Sequence, residues 1–157
     1  MKRIGIVDTS FARFDMAAAA IDELHRQGSG FEVVRYTVPG IKDLAAGARI
    51  LFDRGCDLVM VLGMVGRQTV DKDCALAADF GLQMVQARLG RHVIGVMVHE
   101  EEAEGEDALA RLFDRRTREH AVNAFDLLFR PERLRARAGT GQREGFADAG
   151  PITLGSR

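Results

Sequence analysis

One corner of the chain combines residue types that suit the recognition of a small polar ring. The run "TVPGIKD" places Pro39 and Gly40 directly before Ile41, Lys42 and Asp43. Proline fixes its own backbone angle, and glycine tolerates a close approach that a side chain would forbid. The amides that follow open a helix with unpaired N–H groups, which can donate to heterocycle carbonyls or to a row of hydroxyls. The alternative is a plain strand-to-helix turn, in which proline and glycine only mark the boundary.

A second candidate is the polar loop "DTSFARFD", which contains two phenylalanines, Phe11 and Phe14. An aromatic ring at the end of a strand can stack on a flat ligand ring, which stabilises the complex by about 1 kcal/mol. We expect one of the two rings to do this and the other to pack into the core. The preceding Asp8, Thr9 and Ser10 have an alternative role as the N-terminal cap of the next helix.

Side chains capable of acid–base or metal chemistry follow the last predicted strand, in "VHEEEAEGED". His99 and Glu100, nearest the strand end, could move protons or bind a divalent cation. A charge run before a helix is more commonly a solvated loop that favours the helix N-terminus. We apply that interpretation to the later members of the run, Glu101, Glu102, Glu104 and Glu106.

The run "RRTREHAVNAF" places Arg116 and His120 four residues apart on one predicted helix face, where they could serve an anionic ligand. The alternative is ordinary pairing of charges along a wet helix surface. The chain has no glycine-rich dinucleotide loop and no Walker-type loop. No Ser-His-Asp arrangement is readable, and no cysteine stands beside a histidine.

The elements that must position these residues alternate regularly along the chain. The sequence predicts strands over 3–7, 31–38, 57–63 and 92–98, and helices over 16–28, 42–55, 72–90 and 108–129. Strands joined through helices are parallel, so we expect an α/β three-layer sandwich with a four-stranded parallel sheet flanked by helices. Ligands of such sheets bind outside the carboxyl ends of the strands. The loops that lie there are 8–15, 38–43, 64–71 and 99–105.

The totals favour one domain over residues 1–157 and an ordinary globular protein. Lys and Arg number 22 against 23 Asp and Glu, which gives no reason to expect nucleic acid or an anionic membrane as a partner. The N-terminus lacks a signal-peptide pattern, so we expect a cytoplasmic protein with Cys56 and Cys74 as reduced thiols. Pro131 is predicted to end the last helix, and the tail 130–157 is either floppy or ordered on a neighbouring subunit.

Long phrases over nearly the whole chain resemble the archaeal-type riboflavin synthase. They include "SFARFDMA", "TVPGIKDL", "VLGMVG", "DKDCALAADFGL", "VMVHEEEA", "RRTREHAVNAFDLLFRPE" and "AGTGQREGFADAGP". That family is similar to lumazine synthase, with which it shares the α/β sandwich and the "VPG" corner. The resemblance implies that two molecules of 6,7-dimethyl-8-ribityllumazine dismutate to riboflavin and 5-amino-6-ribitylamino-uracil. It also implies a homopentamer with sites between subunits, and chemistry that needs no cofactor, with Mg²⁺ on the acidic run as an optional addition.

The resemblance also implies roles for individual residues. The implied catalytic residues carry charged or proton-carrying side chains: His99, Glu100, Lys42 and Asp43. The implied substrate-binding residues form the wall, corner and floor of the site: Asp8, Thr9, Ser10, Phe11, Pro39, Gly40, Ile41, Gly63, Met64, Arg116 and His120. Phe11 would stack on one pteridine ring, and His99 with Glu100 would transfer protons. Arg116 and His120 would come from the adjoining subunit or from the site-facing stripe of the fourth helix.

Three other functions stay open at this point. A lumazine synthase would condense a pyrimidinedione with a four-carbon phosphate, but it carries a histidine after its third strand. The loop "MVGRQTVDKD" has none, and no strong phosphate cradle is visible, so both points favour the dismutase. A non-catalytic lumazine or flavin carrier would keep the pocket alone. A generic α/β regulatory domain would need an exposed phosphoacceptor, for which Asp8 is a weak candidate. Val65 replaces a proline expected in the resembled family, which affects only the rigidity of the loop.

Overall fold

The structure is a computed structural model of the chain, and it describes residues 1–155. Within these residues four parallel strands form one sheet: β1 (Lys2–Thr9), β2 (Phe31–Val38), β3 (Leu58–Val65) and β4 (Val93–His99). Their order across the sheet is β2-β1-β3-β4. The α-helices are α1 (Met16–Gln27), α2 (Leu44–Asp53), α3 (Thr69–Leu89), α4 (Glu106–Phe129) and α5 (Pro131–Ala136). Single 3₁₀ turns, Ile41–Asp43 and Glu100–Glu102, follow β2 and β4.

The helices cover the sheet on both faces, which confirms the predicted three-layer α/β sandwich. Alternation along each strand divides the core. Ile4 and Ile6 of β1 pack in the cluster that contains α1 and α4, whereas Val7 packs in the cluster that contains α2 and α3. The strand β3 is buried along its whole length, as its unbroken apolar sequence predicted. No helix in the described part of the chain is both long and apolar enough to cross a membrane.

The loop predicted over 64–71 is wrong for most of its length. The strand β3 continues to Val65, and α3 already begins at Thr69. The reason for the early start is a capping box, in which Gln68 and Asp71 exchange side-chain-to-backbone hydrogen bonds. This motif satisfies amides that would otherwise be unpaired, so the helix forms three residues before its predicted start. Only residues 66–68 remain as the connection.

The fourth helix ends at Phe129, just before Pro131, as predicted, but Pro131 also opens a short helix, α5, which the sequence analysis did not predict. Proline is well suited to the first position of a helix, where its missing N–H is not needed. The carboxylate of Asp126, fully buried in α4, connects α5 and its flanking residues to α4. It lies 2.8 Å from Nε of Arg130, 2.8 Å from Nη2 of Arg137 and 3.6 Å from Nη1 of Arg133.

The segment after α5 folds back on α4 of its own chain. Asn123 of α4 donates to Glu144 at 3.0 Å, and the amide of Ala149 donates to the carbonyl of Gly141 at 2.9 Å. These contacts connect residues 141–149 of the tail to one another and to α4 within the chain. That residues 130–157 also order on a neighbouring subunit stays a prediction, and its last two residues lie outside the described part.

Candidate active site

A cavity of about 370 Å³ lies at the carboxyl ends of β1, β2 and β3. Its lining contains seven of the residues that the sequence assigned to the site: Phe11, Pro39, Gly40, Ile41, Lys42, Asp43 and Met64. Gly66, Asp71 and Cys74 complete the wall. A larger and more open depression of about 910 Å³ lies against α4, but its lining contains none of the residues that the sequence assigned to the site. The cavity at the strand ends is therefore the candidate active site.

The corner after β2 is held by the side chain of Ile41. This residue is buried, whereas the flanking Lys42 and Asp43 are exposed at the cavity. Gly63 of β3 explains the fit, because a Cβ atom there would stand 2.8 Å from Cγ2 of Ile41. Gly63 thus lies behind Ile41 and makes room for it, rather than forming the cavity floor. The turn is closed by the amide of Asp43, which donates to the carbonyl of Gly40 at 3.1 Å.

The two phenylalanines of the first loop lie in different environments, and one of them packs against the core, as predicted. The ring of Phe14 stacks on Phe113 of α4 with centroids 5.6 Å apart and planes inclined by 6°. Phe11 lines the cavity and is 52 % exposed. An apolar ring of this size left in solvent at a cavity mouth is available to stack on a flat ligand.

The polar residues before Phe11 are occupied by contacts within the protein. The buried Asp8 accepts hydrogen bonds from Thr37 at 2.6 Å and from Arg35, which ties the end of β1 to β2. Thr9 accepts from the amide of Ala12 at 3.2 Å, and Ser10 donates to the carbonyl of Pro39 at 3.4 Å. These residues shape the wall and the corner, although none of the three lines the cavity.

The alternative that Asp8, Thr9 or Ser10 caps the next helix is wrong. The cap of α1 is Asp15, whose side chain accepts from the amide of Ala18 at 3.1 Å. The strand β1 continues through Thr9, so the helix begins one loop later than that alternative requires.

Besides Gly66, the sequence reasoning missed two residues of the cavity wall at the start of α3, Asp71 and Cys74. Asp71 is fixed by its capping hydrogen bond with the amide of Gln68, at 3.0 Å. Gly66 leaves room for its carboxylate, because a Cβ atom at Gly66 would lie 2.3 Å from Oδ2 of Asp71. The spacing of Gln68 and Asp71 is the signal that could have located the helix start, and with it these two residues.

His99 and Glu100 lie at the same edge of the sheet but outside the lining of the cavity. The loop that carries them is tied to its neighbours. The carbonyl of Glu100 accepts from Nη2 of Arg67 at 3.3 Å, and its carboxylate lies 3.3 Å from Nη1 of Arg13. The amide of His99 donates to the carboxylate of Glu102 at 2.9 Å.

The later glutamates of the acidic run are exposed and precede or open α4, as the interpretation of a solvated loop before a helix predicted, but three of them also form ion pairs. Glu101 pairs with Lys72 of α3 at 2.6 Å, Glu102 pairs with Arg116 of α4 at 2.7 Å, and Glu106 pairs with Arg13. A hydrogen bond from Lys72 lowers the pKa of Glu101. Sequence reasoning missed these pairs because each partner comes from a different element. The carboxylates are thus spread over separate cations, and nowhere in residues 1–155 do three such ligands converge. The run does not fit a magnesium site.

Arg116 and His120 share a helix face as predicted, but that face is buried rather than wet. The two residues are 5 % and 7 % exposed, and they lie beneath the C-terminal segment. Burial lowers the pKa of His120, and Arg116 adds to this effect while Glu144 opposes it. Neither residue lines the cavity of its own chain. The alternative of pairing on a wet surface is therefore wrong for these two residues, whereas their neighbours Arg115 and Glu119 do pair on the exposed side of the helix, at 3.5 Å.

The chain is similar in sequence to known proteins over most of its length. Residues 1–132 match the sequence model of the family described as 6,7-dimethyl-8-ribityllumazine synthase. The chain is 48 % identical over 153 residues to riboflavin synthase of Methanothermobacter marburgensis, covering 97 % of this chain and 100 % of that one. It is 49 % identical over 151 residues to riboflavin synthase of Archaeoglobus fulgidus, covering 96 % and 98 %. The riboflavin synthase of Aeropyrum pernix is 47 % identical over 152 residues.

The chain belongs to the 6,7-dimethyl-8-ribityllumazine synthase family. The resemblance inferred from the sequence phrases is thereby confirmed, since the curated relatives are archaeal and named riboflavin synthase. The match to the lumazine synthase family model ends at residue 132 of this chain, just inside α5. The likeness to the archaeal riboflavin synthases covers 96–97 % of the chain and so takes in most of the C-terminal segment.

Proposed function

We propose that this protein is a riboflavin synthase, which dismutates two molecules of 6,7-dimethyl-8-ribityllumazine to riboflavin and 5-amino-6-ribitylamino-uracil. The observation that carries the proposal is the identity of 47–49 % over nearly the full length of archaeal proteins named riboflavin synthase. The cavity supports the same function. It offers a half-exposed aromatic ring, a backbone corner and the charged side chains of Lys42, Asp43 and Asp71, which suit a heterocycle with a hydroxylated side chain.

The proposed mechanism relies mainly on orientation. The lumazine carries an unusually acidic methyl group, so the substrate supplies much of the reactivity. Holding two reactants in a productive geometry can lower a barrier by about 7–11 kcal/mol. In this scheme Phe11 stacks on one ring, and the corner at Pro39, Gly40 and Ile41 holds the ring edge or the ribityl chain.

Proton transfer is assigned to charged groups at the rim. Lys42 and Asp43 are exposed at the cavity itself. His99 ends β4 and Glu100 opens the turn after it, where a second substrate molecule outside the cavity would meet them. We propose that this chemistry proceeds without a cofactor, because the acidic methyl group makes an external activator unnecessary.

The proposed assembly is a homopentamer whose sites lie between subunits. A cavity of about 370 Å³ is near the lower end of the range of about 300–1,000 Å³ for ligand sites, so one chain encloses one ring more readily than two. The helix α3 supports an interface, because Leu76, Phe80 and Met84 form a stripe that is more than half exposed. The number five follows from the resemblance alone. We place the protein in the cytoplasm, where Cys56 and Cys74 would stay reduced.

The decisive experiment supplies the purified protein with 6,7-dimethyl-8-ribityllumazine alone, with magnesium or with a chelator. Riboflavin and the pyrimidine should form in equal amounts, with no second substrate and with equal rates in both conditions. A lumazine synthase, the function that the family model names, would instead need the pyrimidinedione and a four-carbon phosphate. Tight binding of the lumazine without turnover would identify a carrier.

A further inference from the structure

A continuous set of contacts joins the C-terminal segment to the loop after β4, and Arg116 is at its centre. The side chain of Arg116 is only 6 % exposed. On one side it contacts the turn Glu100–Glu102, and on the other it is covered by Gly145 and Phe146. Glu100 lies in that turn, and His99 is the residue just before it. The contacts therefore link the tail to the two residues proposed to transfer protons.

The contact with the turn is a two-point ion pair. Nη1 of Arg116 lies 2.7 Å from Oε2 of Glu102, and Nη2 lies 2.8 Å from Oε1. Nη1 also donates to the carbonyl of Met97 at 3.0 Å. The carboxylate of Glu102 accepts the amide of His99 as well, at 2.9 Å. Arg116 therefore pins the turn to the last residues of β4, and both terminal nitrogens are already in use.

The charge state of Glu102 agrees with this role. Burial of the carboxyl favours its neutral form, but hydrogen bonds from Arg116 and from the amide of His99 outweigh that effect. Together they lower the pKa of Glu102, so the carboxylate stays ionised at neutral pH. A two-point contact between an arginine and a carboxylate fixes orientation as well as distance.

The contact with the tail covers the stem of Arg116. Gly145 is buried with φ at +69°, and a Cβ atom there would stand 2.8 Å from Cγ and 2.9 Å from Nε of Arg116. The ring of Phe146 lies 4.8 Å from the guanidinium of Arg116 and 5.0 Å from that of Arg143. The amide of Arg143 donates to Asp148 at 3.0 Å, which closes the loop around the ring. Glycine at 145 is thus required both by the positive φ and by the close approach.

We propose that Arg116 and Glu102 are a positioning pair for the turn that carries His99 and Glu100, and that the C-terminal loop 143–148 holds Arg116 in place. This assignment replaces the sequence-based hypothesis that Arg116 binds an anionic group of the ligand. The effect on turnover rests on the proposed riboflavin synthase activity. The effect on the order of the turn does not.

The test compares this pair with an exposed arginine–glutamate pair on α4, the helix that carries Arg116. Arg116→Lys and Glu102→Gln remove the two-point contact. Arg115→Lys and Glu119→Gln make the same substitutions in a pair with a single contact at 3.5 Å, whose side chains are about half exposed. Amide hydrogen exchange over residues 97–103 is measured for all four variants, together with kcat and KM for the lumazine.

We expect faster exchange over residues 97–103 in Arg116→Lys and Glu102→Gln, and wild-type exchange in the two controls. If loss of the contact displaces the turn by up to about 1 Å, kcat should fall by about 10- to 100-fold, and KM should stay within about twofold of the wild-type value. The double variant should be no worse than either single variant, because both changes break the same contact.

The outcomes separate this proposal from its alternatives. A rise in KM in Arg116→Lys alone, with wild-type exchange in both variants, would mean that Arg116 binds the ligand, and would overturn the pair. Absence of lumazine turnover in the wild type would reject the proposed function, while the exchange result would still decide whether the pair orders the turn.

A second pair of variants tests the role of the tail. Phe146→Leu keeps an apolar side chain but removes the ring that lies over Arg116, and Leu154→Ala changes a fully exposed residue of the same tail. Phe146→Leu should raise the exchange rate over residues 97–103 and lower kcat by several-fold, and Leu154→Ala should do neither. Equal, wild-type behaviour of both variants would show that the tail does not support Arg116.

Discussion

At the scale of single residues, the candidate site separates a ligand-facing aromatic ring from a structural one. Phe11 and Phe14 are three positions apart, yet Phe14 is stacked on Phe113 and Phe11 lies open at the cavity. The cause is the turn between them, which the amide of Ala12 closes onto the side chain of Thr9. Changes at Phe11 should therefore affect ligand binding without a large effect on folding.

We expect Phe11→Leu to weaken lumazine binding about 2- to 10-fold, because an aromatic stacking contact contributes about 0.5–1.5 kcal/mol. The ring is 52 % exposed, so the free energy of unfolding should change little. Fluorescence titration with the lumazine and thermal unfolding measure the two effects. Phe14→Leu is the matched comparison, and it should lower stability instead. A binding constant unchanged by Phe11→Leu would remove Phe11 from the site.

His120 gives a prediction about pH. Its neutral form is favoured in the folded protein because burial lowers its pKa below 6.5. As the pH falls below 6.5, the unfolded chain takes up the proton more readily than the folded one, so the free energy of unfolding decreases. Glu144 of the tail opposes this trend, while Arg116 on the same helix adds to it.

The measurement is the unfolding midpoint of wild type and His120→Gln between pH 7 and a pH just below 6. The wild type should lose stability over this interval, and His120→Gln should lose less. His92→Gln replaces an exposed histidine and should follow the wild type. Parallel curves for wild type and His120→Gln would contradict a buried, neutral imidazole.

At the scale of elements, the short helix α5 is held by a single buried carboxylate. Asp126 lies in α4 with no exposed surface, and its oxygens contact arginines of α5 and of the residues that flank it. The arginines Arg130, Arg133 and Arg137 remain partly in solvent, so they can rehydrate if the carboxylate is lost. The elements after α4 therefore depend on Asp126 for their position.

Asp126→Asn should release α5 and the C-terminal segment from α4. Removing one partner of a buried ion pair costs about 3–5 kcal/mol when the other stays buried, and we expect less here because the arginines can reach water. Limited trypsin digestion should then cleave at Arg133, Arg135 or Arg137 much faster than in the wild type. Asp107→Asn, an exposed residue near the start of α4, is the control. Equal cleavage rates would show that other contacts hold the tail.

At the scale of the whole molecule, α3 has apolar side chains on two opposite sides. Ala75, Ala78 and Leu82 are buried against the sheet layer, whereas Leu76 and Phe80 belong to the exposed stripe. A stripe of this kind on a 21-residue helix is typical of a face that another chain covers. The helix also begins at the cavity wall, so an interface on α3 would bring a second chain close to the site.

We expect Phe80→Asp to dissociate the proposed assembly into folded monomers, because a carboxylate would be buried without a partner in the interface. Sedimentation velocity measures the size, and circular dichroism checks that the chain stays folded. Leu154→Asp introduces the same charge at an exposed position outside the stripe and should leave the assembly intact. An unchanged sedimentation coefficient for Phe80→Asp would place the interface elsewhere.

The sequence alone determined the fold and the location of the cavity. Strands and helices of consistent period alternate along the chain, and parallel strands bring their carboxyl ends to one edge. Both features depend on local patterns, so they can be read without knowing which elements touch. The corner at Pro39 and Gly40 and the half-exposed Phe11 were found for the same reason, since each is marked by residue type next to a strand end.

The tertiary structure decided which charges are free. The spacing of Arg116 and His120 gave their shared face, but it could not tell that the C-terminal segment covers that face. Glu102 read as part of a solvated run, yet it is the partner of Arg116. Whether a charged side chain binds ligand or holds a loop depends on what packs against it, and that partner comes from a segment remote in sequence. Periodicity carries no information about such contacts, because they form only when the layers of the sandwich assemble.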